Sequence, residues 1–432
     1  MRVAVLADSD TRWKWGALTA QRLAPEPSLT GFLLRGRATP TARQLGEVGV
    51  RADRLTEVTC AQFLAEVRDG RFDVVVLALV GGAVQAVLHG MRALWPQPAD
   101  RPVIVTGYVG VVYEKLADGL LLRHGADLVL ANSRHDADRF RAVYEGVGAD
   151  PSSVTETALP FLGGAPYEER TGRAHTVVFA AQPSVPESRA DRGYLLRRAA
   201  EHARLHPDRE VLVKLRSKPG EHTTHLEELP YQRLAEKVPG GLPANCRLVY
   251  GNMGEVLDRT DLLVTVSSTA ALESLHRGIP TAVLTDLGIR EALGNHHFLG
   301  SGCLASWDQL DEGLRPRPDA AWLARQGVAA DGPYDRAFET ARARVAELAA
   351  LPQLPPIAPY YTRATAPGYL PGILARHHLG PDGTPLPGAA RPVAEGSKVR
   401  RYVRSALRDA ARGAYRHGVQ RVAPAIRRMG EL

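Results

Sequence analysis

The sequence predicts an α/β protein with two domains, each built on a parallel sheet. The chain has 432 residues, a length that two or three domains of ordinary size would fill. Short apolar runs rich in Val and Leu alternate with segments of helical spacing, which is the pattern of strands joined by crossover helices. This alternation stops between about residues 155 and 176 and then begins again.

The N-terminal half contains five runs that we predict to be buried strands. Strands of a parallel sheet are covered on both faces, so they are continuously apolar rather than alternating. We therefore predict a Rossmann-like domain over residues 1–165. The five runs are residues 1–8, 29–34, 72–79, 101–108 and 126–132.

A second series of strands and helices follows the break and predicts a second Rossmann-like domain over residues 166–351. Two such domains facing each other are expected to hold a ligand in the cleft between them. The predicted strands are residues 175–182, 209–216, 246–250, 261–268 and 280–286, and the predicted helices are 191–204, 269–277 and 335–350.

The C-terminal region differs in composition from the two domains. Residues 352–396 are rich in Pro and Gly and are predicted to be an extended linker. Residues 397–432 contain ten basic and two acidic residues and place apolar and Arg side chains on adjacent helical stripes. A basic amphipathic helix is typical of binding to an anionic membrane surface. The alternatives are a helix packed on the body and a disordered tail.

Composition excludes several classes of protein. The chain carries a net charge of +7, but without the tail it has 44 basic and 45 acidic residues, so a nucleic-acid-binding body is not expected. The three cysteines, Cys60, Cys246 and Cys303, lie far apart and predict neither a disulfide framework nor a zinc site. The longest apolar stretch, residues 74–88, is interrupted by glycines and is too short to span a membrane. We expect a cytoplasmic protein, at most peripheral on the inner membrane face.

The segment with the most specific pattern begins at a strand end, Ser267-Ser268-Thr269, and continues into a helix that stops at Gly278–Pro280. Hydroxyl groups and unpaired N–H groups at a helix start bind phosphate. Glu273 is expected to face the same crevice and to accept hydrogen bonds from a ribose. The alternative is that the hydroxyls only cap the helix and that Glu273 is solvated.

A second polar segment follows the predicted strand at residues 209–216. Lys214 and Arg216 share one strand parity and, with Lys218 and His222, are predicted to bind the phosphates of a nucleotide. The alternative is pairing with the acidic residues of the same loop. His222 and His225 have a spacing found in metal sites, but no further ligand lies nearby, so we expect no metal.

Asp8 and Asp10 lie in the loop after the first strand. There they could contact an acceptor, the substrate that receives a transferred group, if one binds in the cleft. A carboxylate there is a candidate general base if burial raises its pKa. Trp13 and Trp15 are candidates for stacking against a sugar ring. The alternative is a helix cap at Asp10 with both tryptophans in the core.

A fourth polar segment follows the strand at residues 101–108. Tyr108 is a candidate acceptor contact, and Glu114 is a second candidate base. Lys115 and Arg123 are further polar groups of this segment, although such residues more often bond to one another.

Over residues 1–350 these segments resemble the GT-B glycosyltransferases. Ser267-Ser268-Thr269 is similar to the Ser-Ser/Thr motif of bacterial sialyltransferases and polysialyltransferases, and Lys218-Pro219 stands where those enzymes carry His-Pro. The pattern of Q-P-S-V-P, V-K-L-R, T-V-S-S-T-A-A-L-E and H-F-L-G-S-G is similar to an actinobacterial family of glycosyltransferases found with cell-wall polymer genes.

The resemblance implies transfer of a sugar, such as Kdn or a sialic acid from a CMP-activated donor, to a glycan or lipid-linked wall polymer. It implies metal-independent transfer without a cofactor, with an N-domain carboxylate as base. Two alternatives remain: a nucleotide-sugar epimerase of the same fold, and a non-catalytic nucleotide-binding scaffold of wall synthesis.

Overall fold

The computed structural model describes residues 1–36, 38–111, 115–169, 171–218, 229–328 and 334–389. The chain forms two compact units. The described residues of the first lie within Met1–Leu162 and Leu323–Arg391, and those of the second lie within Gly163–Trp322. Both units are α/β with a parallel sheet, which confirms the predicted fold class.

The first unit contains a seven-stranded parallel sheet in the order β3-β2-β1-β4-β5-β6-β7. Successive residues of β1 belong to opposite apolar layers, Ala4 and Leu6 to one and Val3 and Val5 to the other, because side chains alternate across a sheet. The elements are β1 Arg2–Ala7, α1 Asp10–Leu23, β2 Ser28–Leu34, α2 Ala42–Val48, β3 Arg54–Val58, α3 Cys60–Asp69, β4 Val74–Ala78, α4 Gly81–Leu94, β5 Val103–Gly107, α5 Leu116–Leu121, β6 Leu128–Ala131, α6 Arg134–Gly146 and β7 Val154–Glu156.

The second unit contains a six-stranded parallel sheet in the order β10-β9-β8-β11-β12-β13. Phe179, Leu195 and Trp307 are among the buried side chains of its core. The elements are β8 His175–Ala180, α7 Arg189–Leu205, β9 Arg209–Lys214, α8 Tyr231–Ala235, β10 Cys246–Val249, α9 Met253–Leu257, β11 Leu262–Thr265, α10 Ala270–His276, β12 Thr281–Leu284, β13 Leu304–Ala305, α11 Trp307–Asp311 and, at the boundary of the two units, α12 Ala320–Arg325.

The C-terminal part of the described chain returns to the first unit. It contains α13, Glu339–Ala349, which packs against α1, and α14, Leu370–Arg376, which packs against α4. The boundary predicted at residue 351 is therefore wrong, because α13 belongs to the first unit and not to the second.

The prediction of an extended linker is also wrong over residues 352–389. Leu354 pairs with Ala99 in an antiparallel bridge, and the Tyr361 carbonyl accepts hydrogen bonds from Gln85 and His89 of α4. Six apolar side chains of this segment are buried in the first core: Ile357, Ala366, Leu370, Ile373, Leu374 and Leu379. A few well-spaced apolar residues suffice for docking even where Pro and Gly dominate the composition.

Three short strands are not among those predicted from the sequence. β3 has one fully buried residue out of five, so it lacks a continuous apolar run, whereas β7 and β13 have only three and two residues. Within the described ranges, no helix combines the length and the apolarity needed to cross a membrane. The tail at residues 397–432 lies outside the described residues.

Candidate functional site

Each sheet has one pair of neighbouring strands at which the chain reverses its direction of progress across the sheet. In the first sheet this pair is β1 and β4, and in the second it is β8 and β11. The loops that leave such a pair diverge, so a crevice opens at the carboxyl ends of the two strands, and ligands of α/β proteins bind there. The topology thus identifies one candidate location in each unit.

In the second unit, Gln182 and Ser267 join the two loops of this crevice. The Ser267 amide donates to Gln182 Oε1 at 2.9 Å, and Gln182 Nε2 lies 3.3 Å from Ser267 Oγ. Ser267 Oγ also donates to the Leu293 carbonyl at 2.5 Å. Ser267 is only 6% exposed. Through these bonds it links its own loop to the loops that contain Gln182 and Leu293.

The next two residues are more accessible. Ser268 and Thr269 are both half-buried. Ser268 Oγ accepts from the Ala270 amide at 3.2 Å, which fits the capping alternative for this residue. Thr269 is the N-cap of α10 but makes no side-chain capping bond. Within the part of the chain that the structure describes, Thr269 is thus the one of the three predicted hydroxyls not used in capping or loop bonding.

Glu273 does not match the solvated alternative. It lies in the first turn of α10 and is 8% exposed. A carboxylate is rarely buried to this degree without partners, and Glu273 takes part in an interaction within the fold. The prediction that it binds a ribose stays a prediction.

The predicted cationic residues become more exposed along the chain from the end of β9 onward. Lys214 is buried, and its Nζ donates to the Leu215 carbonyl at 2.8 Å. Arg216 is half-buried, and Lys218 is exposed with its Nζ 5.8 Å from the centroid of the Tyr250 ring. Because β9 ends at Lys214, strand parity does not extend to Arg216. His222 lies outside the described residues.

Arg192 is a positioning residue that sequence reasoning missed. This side chain of α7 is 2% exposed. Its Nη1 donates to the carbonyls of Gln182 and Pro183, at 3.2 and 2.9 Å. The guanidinium also lies 4.3 Å from the centroid of the Tyr231 ring, a favourable cation–π distance. It therefore holds the loop after β8, and nothing local in the sequence indicates these partners.

In the first unit, Asp8 lies at the crevice between β1 and β4. Its Oδ1 accepts from Arg12 Nη1 at 2.9 Å, and its Oδ2 accepts from the Val80 amide at 3.0 Å. Both oxygens of the carboxylate therefore accept a hydrogen bond. Asp8 thus ties the loop after β1 to the start of α4, an arrangement that argues against its predicted role as general base.

Asp10 is the first residue of α1 and is half-buried. Its Oδ1 accepts a long hydrogen bond, 3.4 Å, from Thr11 Oγ1. The cap of this helix is Ser9, whose Oγ accepts from the Arg12 amide. The capping role proposed for Asp10 as the alternative is therefore wrong, and its role as base stays a prediction.

The prediction that Trp13 and Trp15 stack on a sugar is wrong, because both are 1% exposed and lie in the core. Two glycines make room for the rings. A Cβ at Gly31 would lie 2.6 Å from the Trp13 ring, and one at Gly107 would lie 2.8 Å from the Trp15 ring. No face of either indole is left for a ligand.

Tyr108 is half-buried rather than open to an acceptor. Burial raises the pKa of its hydroxyl, which lies 3.4 Å from the Leu116 carbonyl. The Arg123 guanidinium lies 4.0 Å from the ring centroid and donates to the Gly107 and Leu79 carbonyls. Arg123 therefore braces the ends of β4 and β5, whereas Glu114 lies outside the described residues.

Elsewhere in the second unit, His202, His206 and Asp311 place ligand-type atoms within 4.8 Å of one another. His202 Nδ1 bonds to Asp311 Oδ1 at 2.5 Å, and Arg209 Nη1 lies 3.2 Å from His202 Nε2. Both nitrogens of His202 are occupied, and Arg198 bonds to Asp311. This pattern describes a hydrogen-bonded network rather than a metal centre.

Comparison with known proteins identifies both a family and a fold. Residues 3–348 match the family described as "Putative glycosyltransferase (DUF6716)". A search of curated proteins finds no match.

Solved structures with a similar fold include UDP-GlcNAc 2-epimerase from Neisseria meningitidis bound to UDP-GlcNAc. The two sequences are 10% identical, the match covers 80% of this chain and 100% of the epimerase chain, and the TM-score is 0.51. The Methanocaldococcus jannaschii UDP-GlcNAc 2-epimerase in complex with UDP-GlcNAc and UDP has 10% identity over 79% of this chain and 99% of that one, with a TM-score of 0.50. A UDP-glucosyltransferase from Polygonum tinctorium has 13% identity over 80% and 98% of the two chains, with a TM-score of 0.48. At such identities the likeness concerns the fold alone, and the predicted GT-B class is confirmed.

Proposed function

Because this chain belongs to the putative glycosyltransferase family DUF6716, whose match spans strands of both sheets, we propose that it transfers a sugar from a nucleotide-sugar donor to an acceptor hydroxyl. The second unit binds the donor, and the first unit binds the acceptor. The observation that carries this proposal is the presence of predicted site residues at the carboxyl edge of both sheets, including Ser267 and Asp8 beside the two topological crevices.

The donor-binding role of the second unit is supported by its charge. Lys214 ends β9, and Arg216 and Lys218 follow it with increasing exposure. As the glycosidic bond to the nucleotide breaks, negative charge grows on the leaving phosphate, and cations held in place at that position stabilise it. Thr269 adds a hydroxyl near the start of α10. The transfer can thus proceed with protein cations in place of a metal ion.

For the donor sugar we favour a CMP-activated nonulosonic acid, such as Kdn or a sialic acid. Support comes from the sequence: Ser267-Ser268-Thr269 resembles the motif of sialyltransferases. Lys218 in place of His is the main departure from that pattern. The acceptor that fits the second resemblance is a glycan or a lipid-linked polymer of the cell wall.

Nucleotide selectivity tests the donor. A thermal-shift panel of CMP, CDP, UDP and GDP should show one nucleobase that raises the unfolding temperature of the full chain, since ligands that bind the native state stabilise it by mass action. Lys214→Met should weaken binding of that nucleotide about 10- to 100-fold, the effect of losing a charge-assisted bond. Lys237→Met, at an exposed lysine of the same unit, is the matched control and should bind normally. Equal responses of both variants would contradict the donor site.

Incubation with the donor alone separates transfer from epimerisation. A glycosyltransferase releases nucleotide when an acceptor is added, whereas an epimerase converts the sugar while it remains attached to the nucleotide. Epimerised nucleotide-sugar in the absence of acceptor would replace the present proposal with that activity. Nucleotide binding without either product would favour the non-catalytic scaffold.

The basic tail supports a location for the reaction. Residues 397–432 carry ten basic and two acidic residues, and each exposed cation near an anionic leaflet contributes about 1 kcal/mol. We propose that this tail brings the enzyme to the inner membrane face. The full chain should co-sediment with vesicles containing phosphatidylglycerol, and a chain truncated after Glu395 should not. Equal sedimentation of both chains would refute the membrane role.

A further inference from the structure

Residues 285–295, which we call the β12 loop, contact the crevice of the second unit. β12 lies next to β11 in the sheet, and the chain leaves both strands at the same carboxyl edge. The Leu293 carbonyl of this loop accepts from Ser267 Oγ at 2.5 Å. The Leu293 amide donates to the Arg290 carbonyl at 3.1 Å. Hydrogen bonds therefore connect the backbone of Arg290, through Leu293, to a residue at the crevice between β8 and β11.

The buried side chain of Asn295 fixes the shape of the β12 loop. Asn295 is 0% exposed, and its Nδ2 donates to the carbonyls of Leu284 and Gly288, at 3.1 and 2.8 Å. Its Oδ1 accepts from the Arg290 amide at 2.9 Å. The turn also depends on Gly288, whose φ of +79° is a conformation that glycine adopts without strain. The backbone of Arg290 is thus held at a defined position.

The side chain of Arg290 is exposed. Within the part of the chain that the structure describes, its guanidinium makes neither a hydrogen bond nor an ion pair. A guanidinium is a permanent cation whose planar fork of N–H donors matches the oxygens of a phosphate or a carboxylate. Arg290 is therefore a cation that is available to an anionic ligand.

The acidic residues of the β12 loop do not neutralise this cation. Asp286 accepts from the Tyr194 hydroxyl at 3.0 Å and from the Trp307 amide at 3.1 Å, so its carboxylate is used to anchor the start of the loop. Glu291, the neighbour of Arg290 in the chain, is exposed and forms no ion pair within the described ranges.

The strand order places Arg290 and Lys214 on opposite sides of the crevice. Lys214 ends β9, which lies beside β8, and the β12 loop follows β12, which lies beside β11. Neighbouring strands of a sheet are about 4.8 Å apart, so β9 and β12 are separated by roughly 14 Å. A Lys and an Arg side chain can bridge this distance through an anionic group held between them.

We propose that Arg290 is a donor-binding residue, and that its guanidinium pairs with an anionic oxygen group of the nucleotide-sugar from the side opposite to Lys214. This inference rests on the proposed glycosyl transfer. Two groups of the proposed donor have this chemistry, namely the nucleotide phosphate and the carboxylate of a nonulosonic acid. Both accept paired hydrogen bonds from a guanidinium. Arg290 binds and orients the donor and transfers no proton, because a guanidinium does not give up its protons in a protein.

The test compares Arg290→Gln with Arg259→Gln in the full chain. Arg259 is the matched control, because it is also exposed but lies between α9 and β11, at the opposite, amino edge of the same sheet. Calorimetry measures the binding of CMP, CDP, UDP, GDP and CMP-sialic acid. Loss of a charge-assisted bond should weaken binding about 10- to 100-fold in Arg290→Gln, whereas Arg259→Gln should bind as the wild type does.

The ligands distinguish the two anionic groups. Weaker binding of a free nucleotide by Arg290→Gln would identify the phosphate as the partner of Arg290. Weaker binding of CMP-sialic acid with unchanged binding of CMP would identify the carboxylate. Wild-type affinity of Arg290→Gln for every ligand, or an equal loss in Arg259→Gln, would overturn the role of Arg290 and leave the glycosyltransferase proposal intact. A wild-type chain that binds none of the five ligands would instead refute the proposed function.

Discussion

Replacement of Gln182 by Leu tests whether the crevice of the second unit is held open by side-chain bonding to the backbone. The Ser267 amide donates to Gln182 Oε1 at 2.9 Å, and Ser267 is 6% exposed. Leu fills similar space but accepts no hydrogen bond, so the amide is left buried without its partner. The cost of such a buried donor is about 1–3 kcal/mol, and we expect about 2 kcal/mol for Gln182→Leu.

Ser267→Ala provides the matched comparison. It removes the bond from Ser267 Oγ to the Leu293 carbonyl and leaves the amide bond to Gln182 in place, so we expect a loss of about 1 kcal/mol. The two side chains also approach each other at 3.3 and 3.4 Å, distances that correspond to weak bonds. The double variant should therefore be additive to within about 0.5 kcal/mol.

Native-state hydrogen exchange, followed by mass spectrometry on peptides that cover β11, measures these free energies within the second unit. This choice avoids fitting a single transition to a chain with two units, for which one unfolding free energy is poorly defined. A loss below about 0.5 kcal/mol in Gln182→Leu, or a coupling above about 1 kcal/mol in the cycle, would refute the assignment of the stabilisation to the backbone amide.

Two further predictions concern the cores. Gly31→Ala should destabilise the first unit by about 1–3 kcal/mol, because the added Cβ would lie 2.6 Å from the Trp13 ring. Hydrogen exchange in peptides of β2 measures this loss of stability. Unchanged protection of those peptides would contradict the packing of Gly31 against Trp13. Burial lowers the pKa of His202 to about 4, so His202 stays neutral in the folded chain while the unfolded chain takes up a proton below about pH 6.5. The free energy of unfolding should consequently fall by roughly 2 kcal/mol as the pH decreases from about 6.5 to 4. His202→Gln should flatten the dependence of the unfolding temperature on pH. An equally steep dependence in the variant would show that other groups cause it.

The positions of the principal strands could be predicted from the sequence because a strand buried on both faces is a continuous apolar run. The run at residues 72–79 contains the five buried residues of β4, and the run at residues 209–216 contains β9. The prediction failed where such an apolar run is absent, as in β3, of whose five residues only Val58 is fully buried. It also failed for residues 352–389, because composition averages over the segment and hides the few buried residues, such as Leu370 and Leu374, that dock it.

The candidate site was predicted only in part. Polar residues at strand ends are visible in the sequence, and they drew attention to Asp8, Lys214 and Ser267. The binding and catalytic roles predicted for these residues stay predictions. The orientation of a side chain is not visible in this way, which is why the sequence left Trp13 and Trp15 open between stacking on a ligand and packing in the core, where they lie. Arg192 could not be found, since its function depends on carbonyl groups of a loop nine and ten residues away.

The sequence by itself determined that this protein is an α/β chain with two parallel sheets and polar strand ends, because those properties depend on the burial pattern of each segment separately. The tertiary structure alone decided the order of the strands, and hence that Gln182 meets Ser267 and that Asp8 meets the amide of Val80. It also decided that α14 belongs to the first unit. These partners are separated by long stretches of chain, and only the packing of whole layers selects which of many equally polar loops become neighbours.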